Sequence, residues 1–293
     1  ANPDIFSDVD PKRLTDASMA AGKALMDYRA RLMSNKNTWC VVSVPTMAWA
    51  RKVFPDCSSE EAVEKLWAAI LSAARISETE NPISAWHVHI ERLQQRTAFL
   101  NAQAFTELHY RNGLGTDLRI ALPEGHIWMG GAEHSAAGTL FAANIPTEEV
   151  YTMPMRTGVN GTVFASKPLH YNGNLIHGFS LTFRDGKVVG YDAEQGREHL
   201  KELLETDEGA SYLGEVALVP HDSPISQSGI LFYNTLFDEN ASCHLALGKA
   251  YPTCIENGEN MTEDELCERG VNHSIVHEDF MIGTADLTVI GRK

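Results

Sequence analysis

The sequence predicts an α+β fold in which a mostly helical first part is followed by a strand-rich second part. Apolar residues recur at helical spacing through about the first hundred residues, and the spacing changes to alternation near residue 104. Turns rich in glycine then separate short alternating segments. A chain of 293 residues is long enough for two domains. We therefore predict a helical α/β domain over residues 1–103, incomplete at its N-terminus, and a strand-rich domain over residues 104–293.

Three helix starts are recognisable in the first part. Asp10, followed by proline, is a cap and first-turn pair, and Ser58 opens a capping box. Asn81, again followed by proline, begins a third helix with apolar residues on one face. Residues 38–45, "TWCVVSVP", are rich in β-branched side chains and are predicted to form a buried strand. Since one strand cannot make a sheet alone, we expect its neighbours upstream of Ala1.

The second part reads as strands separated by turns. Asp185-Gly186 between alternating flanks predicts a tight hairpin, and a helix is predicted at about residues 196–205. The predicted strands lie in "TELHYRN", "TDLRIALPEG", "GTVFASKPL", "HGFSLTFRDGKVVGYD", "YLGEVALVP", "SIVHEDFMIG" and "ADLTVIG".

Composition and charge exclude several classes of protein. The formal net charge of -15 repels the phosphate backbones of nucleic acids and the surfaces of anionic membranes. The five cysteines are widely spaced and contain no C-x-x-C pair, which indicates reduced thiols in a cytoplasmic protein. The sequence shows no signal peptide and no long apolar span. The chain begins at Ala1 without a methionine, as expected for the inner part of a longer protein.

One stretch, "FDENASCHLALGKAYP" (residues 237–252), concentrates residue types that bind metals or move protons. Asp238, Glu239, His244 and Tyr251 are separated there by small apolar residues. A surface loop would contain more lysine, serine and glycine, and a core helix would not place two carboxylates beside Ala-Leu-Ala. The stretch therefore predicts part of a functional site.

Other carboxylates and imidazoles stand out in the same half. Glu215 interrupts an apolar strand, where a charge is costly unless it is paired or metal-bound. His277 and Asp279 are two apart on a strand and so share a face. Taken singly, Glu215 fits a solvent-facing position, His277 and Asp279 fit a structural pair, and one member of Glu148-Glu149 fits a surface residue.

Taken together, these residues predict a two-metal hydrolase. Mixed carboxylates and imidazoles suit cations such as Zn, Co or Mn. Two-metal hydrolases hold their ions with a shared carboxylate and a water, and Glu215 in its rigid strand suits the shared position. Tyr251 is a candidate donor to the oxyanion of a tetrahedral intermediate. Motifs of other hydrolase and nucleotide-binding classes, HExxH, GxSxG and the phosphate loop, do not occur.

The chain also resembles the aminopeptidase T / PepS (AmpS-like) family of two-metal aminopeptidases, known as thermophilic metalloproteases. The resemblance extends over essentially the whole chain. It is most specific in "GLGTDLRI", "NIPTEEVYTMP", "LGEVALVP", "LFDENASCHLALGKAYP" and "HEDFMIGTADL". Members of the family begin with a further α/β segment of about a hundred residues before the "NPDIF" sequence, so the resemblance implies that this chain is shortened at its N-terminus.

The resemblance implies roles for individual residues. It implies Tyr251 as a catalytic phenol, Glu215 as the bridging ligand, and Glu239 as a ligand or as a residue that orients His244. Glu148, next to a ligand, is a candidate proton shuttle. The implied metal ligands are Glu149, Glu215, Glu239, His244, His277 and Asp279.

The function that follows is an aminopeptidase acting on peptides with a free N-terminus through a water activated by two divalent ions (Zn, Co, Mn or Mg). The resemblance also implies a homodimer. The alternative is a metal-binding fragment without turnover that serves as a folding or dimerisation unit. A third possibility is an amide or ester hydrolase on the same metals that does not require an α-amine.

Overall fold

The computed structural model describes residues 5–6 and 8–293. Over these residues five helices come first and a strand-rich part with four further helices follows, so the α+β fold is confirmed. The helices are α1 (Pro11–Ala24), α2 (Met26–Met33), α3 (Met47–Val53), α4 (Ser59–Ala73), α5 (Pro82–Gln103), α6 (Arg197–Leu204), α7 (Pro224–Ser228), α8 (Thr235–Asp238) and α9 (Glu263–Glu268). The strands are β1 (Glu107–Arg111), β2 (Asp117–Ala121), β3 (Glu133–His134), β4 (Leu140–Phe141), β5 (Val150–Thr152), β6 (Val159–Phe164), β7 (Leu169–Tyr171), β8 (Asn174–Ile176), β9 (Ser180–Arg184), β10 (Lys187–Asp192), β11 (Leu213–Leu218), β12 (His244–Gly248), β13 (His277–Met281) and β14 (Thr288–Arg292).

Two antiparallel sheets dominate the second part. A six-stranded sheet has the order β10-β9-β6-β2-β1-β14, and a four-stranded sheet has the order β13-β12-β11-β5. Two short hairpins, β3–β4 and β7–β8, complete the strands of the described chain. Side chains from both main sheets meet in one core cluster that includes Leu118, Val163, Val216, Leu245 and Phe280. The four-stranded sheet therefore has one face on this apolar core, and its other face is free for polar side chains.

A local irregularity sets the side-chain directions of β11. The pairing of β11 with β12 shifts register between Leu213 and Glu215. Leu213 and Val216 both lie in the core cluster as a result, although Glu215 between them does not. A Cβ on Gly214 would lie 2.4 Å from the carbonyl oxygens of Gly248 and Lys249. Glycine is therefore required at the shift that turns Glu215 away from the core.

The helices of the first part pack on the rest of the chain at two places. Trp49 of α3 and Leu66 of α4 share a second core cluster with Phe232, which precedes α8, and Phe237, which lies within it. Leu93 of α5 belongs to the cluster between the two sheets. The change from helices to strands falls between α5 and β1, near the predicted boundary, and the division into two domains stays a prediction. Among the described residues, no helix combines the length and apolar character that crossing a bilayer requires.

Most local predictions are confirmed. Asn81 caps α5 through its side chain, and Ser58 accepts a hydrogen bond from the backbone N–H of Glu61 at the start of α4. Asp185 and Gly186, both at positive φ, form the two-residue turn between β9 and β10. The strand predicted for residues 38–45 is wrong: only Val41 makes a β-bridge, to Asn144.

We expect Gly214→Ala to destabilise the protein by about 2–3 kcal/mol, because the new methyl group meets the backbone of the neighbouring strand. Gly190→Ala is the matched control, since a Cβ at this strand glycine lies 3.6 Å from Thr182, an ordinary contact. Urea unfolding measures both variants. Equal stability of the two would contradict the role assigned to Gly214.

Candidate metal centre

The polar face of the four-stranded sheet presents a cluster of carboxylates and imidazoles to one pocket. Side chains alternate along each strand, so that Val150, Leu245 and Phe280 enter the core while their neighbours Glu149, His244 and Asp279 face the opposite way. The predicted residues that line this pocket are Glu149, Glu215, Glu239, His244, Tyr251, His277 and Asp279. Residues from four separate chain segments thus converge at one site.

The first group of ligand atoms comes from Glu149, Glu215 and His244. His244 Nε2 lies 2.9 Å from Glu149 Oε2 and 3.4 Å from Glu215 Oε1. All three residues are buried. Burial alone would lower the pKa of His244, but the two adjacent carboxylates outweigh it and raise this pKa well above its usual value.

The second group consists of Glu215, His277 and Asp279. His277 Nε2 lies 3.6 Å from Glu215 Oε2 and 3.5 Å from Asp279 Oδ1. Burial opposes the charge on His277, yet Asp279 and then Glu215 raise its pKa to about 10. Glu215 therefore belongs to both groups, with one carboxylate oxygen near each histidine.

Two features of these residues fit a metal rather than a network of hydrogen bonds. Glu149 Oε2 and Asp279 Oδ1 are buried and accept no well-aligned hydrogen bond from any described residue, although a histidine nitrogen is close to each. The outer nitrogens of both histidines have backbone partners: His244 Nδ1 is 3.2 Å from the carbonyl of Ser242, and His277 Nδ1 is 2.7 Å from that of Lys249. Such contacts hold the inner nitrogens towards a cation, as in protein metal sites.

Small residues in β12 make room at the centre of the site. Ala246 is paired with Glu215 on one side and with Asp279 on the other, and Gly248 is paired with His277. A larger side chain at position 246 would project into the space between the two carboxylates, because paired residues lie on the same face. The small residues of this segment thus leave space where the ligand atoms meet.

Two tyrosines flank the second group. The ring of Tyr251 lies 4.8 Å from the ring of His277 and 6.1 Å from that of Tyr151, measured between centroids. Burial raises the pKa of Tyr251 well above its usual value, and the carboxylates of Glu215 and Asp279 raise it further. Tyr251 consequently keeps its proton at neutral pH and is available as a hydrogen-bond donor.

Glu239 lines the pocket but belongs to neither ligand group. Its pKa is raised well above the usual value by burial first, and then by the carboxylates of Asp279 and Glu149. Its Oε1 lies 3.4 Å from Nδ2 of Asn240. The role of Glu239, as a ligand or as a residue that orients His244, stays a prediction.

The proton-shuttle role predicted for Glu148 is not supported by its position. Its side chain is buried outside the set of pocket-lining residues, and Oε1 lies 2.6 Å from Nη1 of Arg75. Glu148 and Glu149 are adjacent in an extended segment, so their side chains point in opposite directions. On the same side, His89 Nε2 contacts the backbone carbonyl of Thr147 at 2.7 Å.

Asn240 connects the two loops that carry these glutamates. The backbone N–H of Glu148 donates to Asn240 Oδ1 at 2.7 Å, and Asn240 Nδ2 donates to the carbonyl of Leu236 at 2.9 Å. Asn240 is fully buried. Together with Arg75 and His89, it fixes the backbone immediately before Glu149.

Several further polar residues line the pocket and were missed from sequence, among them Asn35, Trp39 and Glu133. Asn35 and Glu133 are 98 positions apart and hydrogen-bond through their side chains. No motif or spacing joins them. The one signal available was Glu133 beside a histidine in a glycine-rich segment, which is too common to identify a site.

The chain is similar to several known proteins. The family described as thermophilic metalloprotease (M29) matches residues 1–293. Aminopeptidase 2 of Geobacillus stearothermophilus is 56% identical over 290 residues, with 99% of this chain and 70% of the relative covered. Aminopeptidase AmpS of Bacillus subtilis (strain 168) is 51% identical over 291 residues, with the same coverage of 99% and 70%. The structure of wild-type AmpT from Thermus thermophilus superposes with a TM-score of 0.91 at 42% identity, and the match covers 100% of this chain and 70% of that one.

We expect Arg75→Gln to destabilise the protein by about 3 kcal/mol, because it leaves the buried carboxylate of Glu148 without its cation. Glu148→Gln costs less, about 1–2 kcal/mol, since the guanidinium of Arg75 is partly exposed and can reach water. The double variant should have the same free energy of unfolding as Glu148→Gln alone. A double-mutant cycle by urea unfolding measures the coupling. Additive losses would show that the two side chains do not interact.

Proposed function

We propose that this chain is a two-ion aminopeptidase. The premise is its family, because the chain belongs to the thermophilic metalloprotease (M29) family. The family and the relatives indicate a metal-dependent aminopeptidase. Beyond this, we propose that the chain binds two divalent ions and removes the N-terminal residue of a peptide at the site that holds them.

The observation that carries the two-ion proposal is the double use of Glu215. Its Oε1 belongs with Glu149 and His244, and its Oε2 with His277 and Asp279. One carboxylate shared by two complete sets of three ligands is the arrangement that a bridging ligand requires. Glu149 and His244 would hold one ion, and His277 and Asp279 would hold the other. Glu215 would contribute one carboxylate oxygen to each ion. Carboxylates mixed with imidazoles suit Zn, Co or Mn, and Mg remains among the candidates.

When bound, such ions supply Lewis acidity and lower the pKa of a water molecule towards neutrality. The protein's own residues supply the remaining steps. Tyr251 donates a hydrogen bond to the carbonyl oxygen of the scissile bond as negative charge develops on it. Glu239, which lines the same pocket, takes a proton from the attacking water and passes it to the leaving amine, the role that the sequence suggested for Glu148.

Cellular context forms part of the same proposal. The structure contains five free cysteines, Cys40, Cys57, Cys243, Cys254 and Cys267. Free thiols are typical of reducing compartments, which supports a cytoplasmic location. The homodimer implied by the resemblance stays a prediction.

The direct test is hydrolysis of leucine p-nitroanilide after removal of metal with EDTA and after addition of cobalt. We expect cobalt to restore cleavage, and N-acetyl-leucine p-nitroanilide to remain intact. Cleavage of both substrates would indicate an amide hydrolase that does not require the amine. Bound cobalt without cleavage would favour the inert fragment.

Glu215→Gln should lower turnover by at least about 100-fold, since it replaces the shared ligand. The metal-free variant should melt at the same temperature as the parent or higher, because Gln avoids burial of a charge. Glu124→Gln, at an exposed position, is the control. Retained turnover in Glu215→Gln would contradict the proposed mechanism.

Metal content separates the two ligand groups. Elemental analysis of the cobalt-loaded chain should give two ions for the parent and one each for Glu149→Gln and Asp279→Asn, because each substitution removes a ligand from one group. A single ion in the parent, or loss of all metal in both variants, would contradict the two-ion proposal.

A further inference from the structure

The pocket contains a carboxylate that the proposed chemistry does not use. Five acidic residues line it: Glu133, Glu149, Glu215, Glu239 and Asp279. Three of them belong to the ligand groups, and the proposal gives Glu239 the transfer of a proton. Glu133, in the short strand β3, is left without a role.

Glu133 is held in a defined orientation. Its Oε2 accepts a hydrogen bond from Nδ2 of Asn35. Asn35 is buried, and its own carbonyl accepts a hydrogen bond of 2.8 Å from the N–H of Ala136, three residues beyond Glu133. Hydrogen bonds of the side chain and of the backbone of Asn35 therefore hold it against the segment that carries Glu133. The second oxygen, Oε1, is left for another partner.

Within the part of the chain that the structure describes, no cation neutralises the carboxylate of Glu133. Among the described residues, none forms an ion pair with Glu133, and the residues lining the pocket include neither lysine nor arginine. The two lining histidines belong to the ligand groups. The pocket accordingly favours a cationic group of a ligand next to Glu133.

The same pocket also contains a polar donor, on Trp39, that no described residue accepts from. Nε1 of Trp39 is buried and makes no hydrogen bond to any described residue, and the indole lies 6.3 Å from the ring of Phe141, which is paired with Glu133 in the β3–β4 hairpin. A buried donor of this kind is expected to meet a ligand acceptor. Trp39 and Glu133 thus offer one donor and one anionic acceptor, a combination that suits the start of a peptide.

Glu133 lines the same pocket as both ligand groups. Tyr151, which follows Glu149 by two residues in the chain, lines this pocket as well. A ligand bound in the pocket can therefore meet Glu133 at one point of its surface and the ligand groups at another.

We propose that Glu133, oriented by Asn35, binds the free α-ammonium group of the peptide substrate. This inference rests on the aminopeptidase activity proposed above. Every substrate of such an enzyme carries this group, whereas basic side chains occur in only some of them. A peptide with a blocked terminus would leave Glu133 desolvated and unpaired, which disfavours its binding. Glu133 would in this way restrict cleavage to the first peptide bond.

The test compares Glu133→Gln with the parent, both loaded with cobalt, on leucine p-nitroanilide and lysine p-nitroanilide. Gln keeps the size of the side chain and the acceptor for Asn35 while removing the charge. We expect kcat/KM to fall by about 10- to 100-fold for both substrates alike, with unchanged cobalt content. The kcat/KM of Glu133→Asp should lie between those of the parent and Glu133→Gln. The kcat/KM of Glu124→Gln should equal that of the parent.

A binding measurement makes the test independent of turnover. In calorimetric titrations, the parent should bind leucinamide more tightly than N-acetyl-leucinamide, and Glu133→Gln should lose this preference. If the parent cleaves neither substrate, the proposed activity fails while this comparison still tests Glu133. Three results for Glu133→Gln would each overturn the proposal. The first is an unchanged kcat/KM together with an unchanged preference for leucinamide over N-acetyl-leucinamide. The others are a loss of activity confined to lysine p-nitroanilide and a loss of bound cobalt.

Discussion

Glu215 lies in β11, where the neighbouring residues are buried and its carboxylate is cut off from water. Burial disfavours the charged form and raises the pKa of this carboxylate, so a stable charge requires cationic partners on the same face of the sheet. His244 and His277 lie 3.4 and 3.6 Å from its two oxygens. The register shift at Gly214 and the small residue Ala246 both serve this arrangement, since one turns Glu215 from the core and the other leaves space around it.

Local patterns in the sequence predicted every strand of the six-stranded sheet, because one face of that sheet is apolar and the residues alternate. β12 was missed as a strand: all five of its residues, His244 to Gly248, are buried, so no alternation marks it. The opposite error occurred at residues 38–45. Their β-branched composition resembles a buried strand, but Val42 and Val44 are exposed and the segment has a single bridging residue. Composition alone does not identify the partner that a strand needs.

The candidate site could be predicted where residue type and periodicity coincide. His277 and Asp279, two apart on a strand, were expected on one face, and Nε2 of His277 lies 3.5 Å from Oδ1 of Asp279. Of the adjacent Glu148 and Glu149, only the structure distinguishes the one that faces the pocket from the one that pairs with Arg75. Glu133 was beyond prediction because its environment is made by Asn35, 98 positions earlier in the chain. Contacts between distant segments leave no local pattern.

The central claim is that one buried carboxylate holds two ions. The most direct measurement is a crystal structure of the cobalt-loaded chain with anomalous diffraction recorded at the cobalt edge. We expect two anomalous peaks, one beside His244 and one beside His277, with an oxygen of Glu215 in contact with each. A single peak, or two peaks of which one lies away from Glu215, would contradict the account.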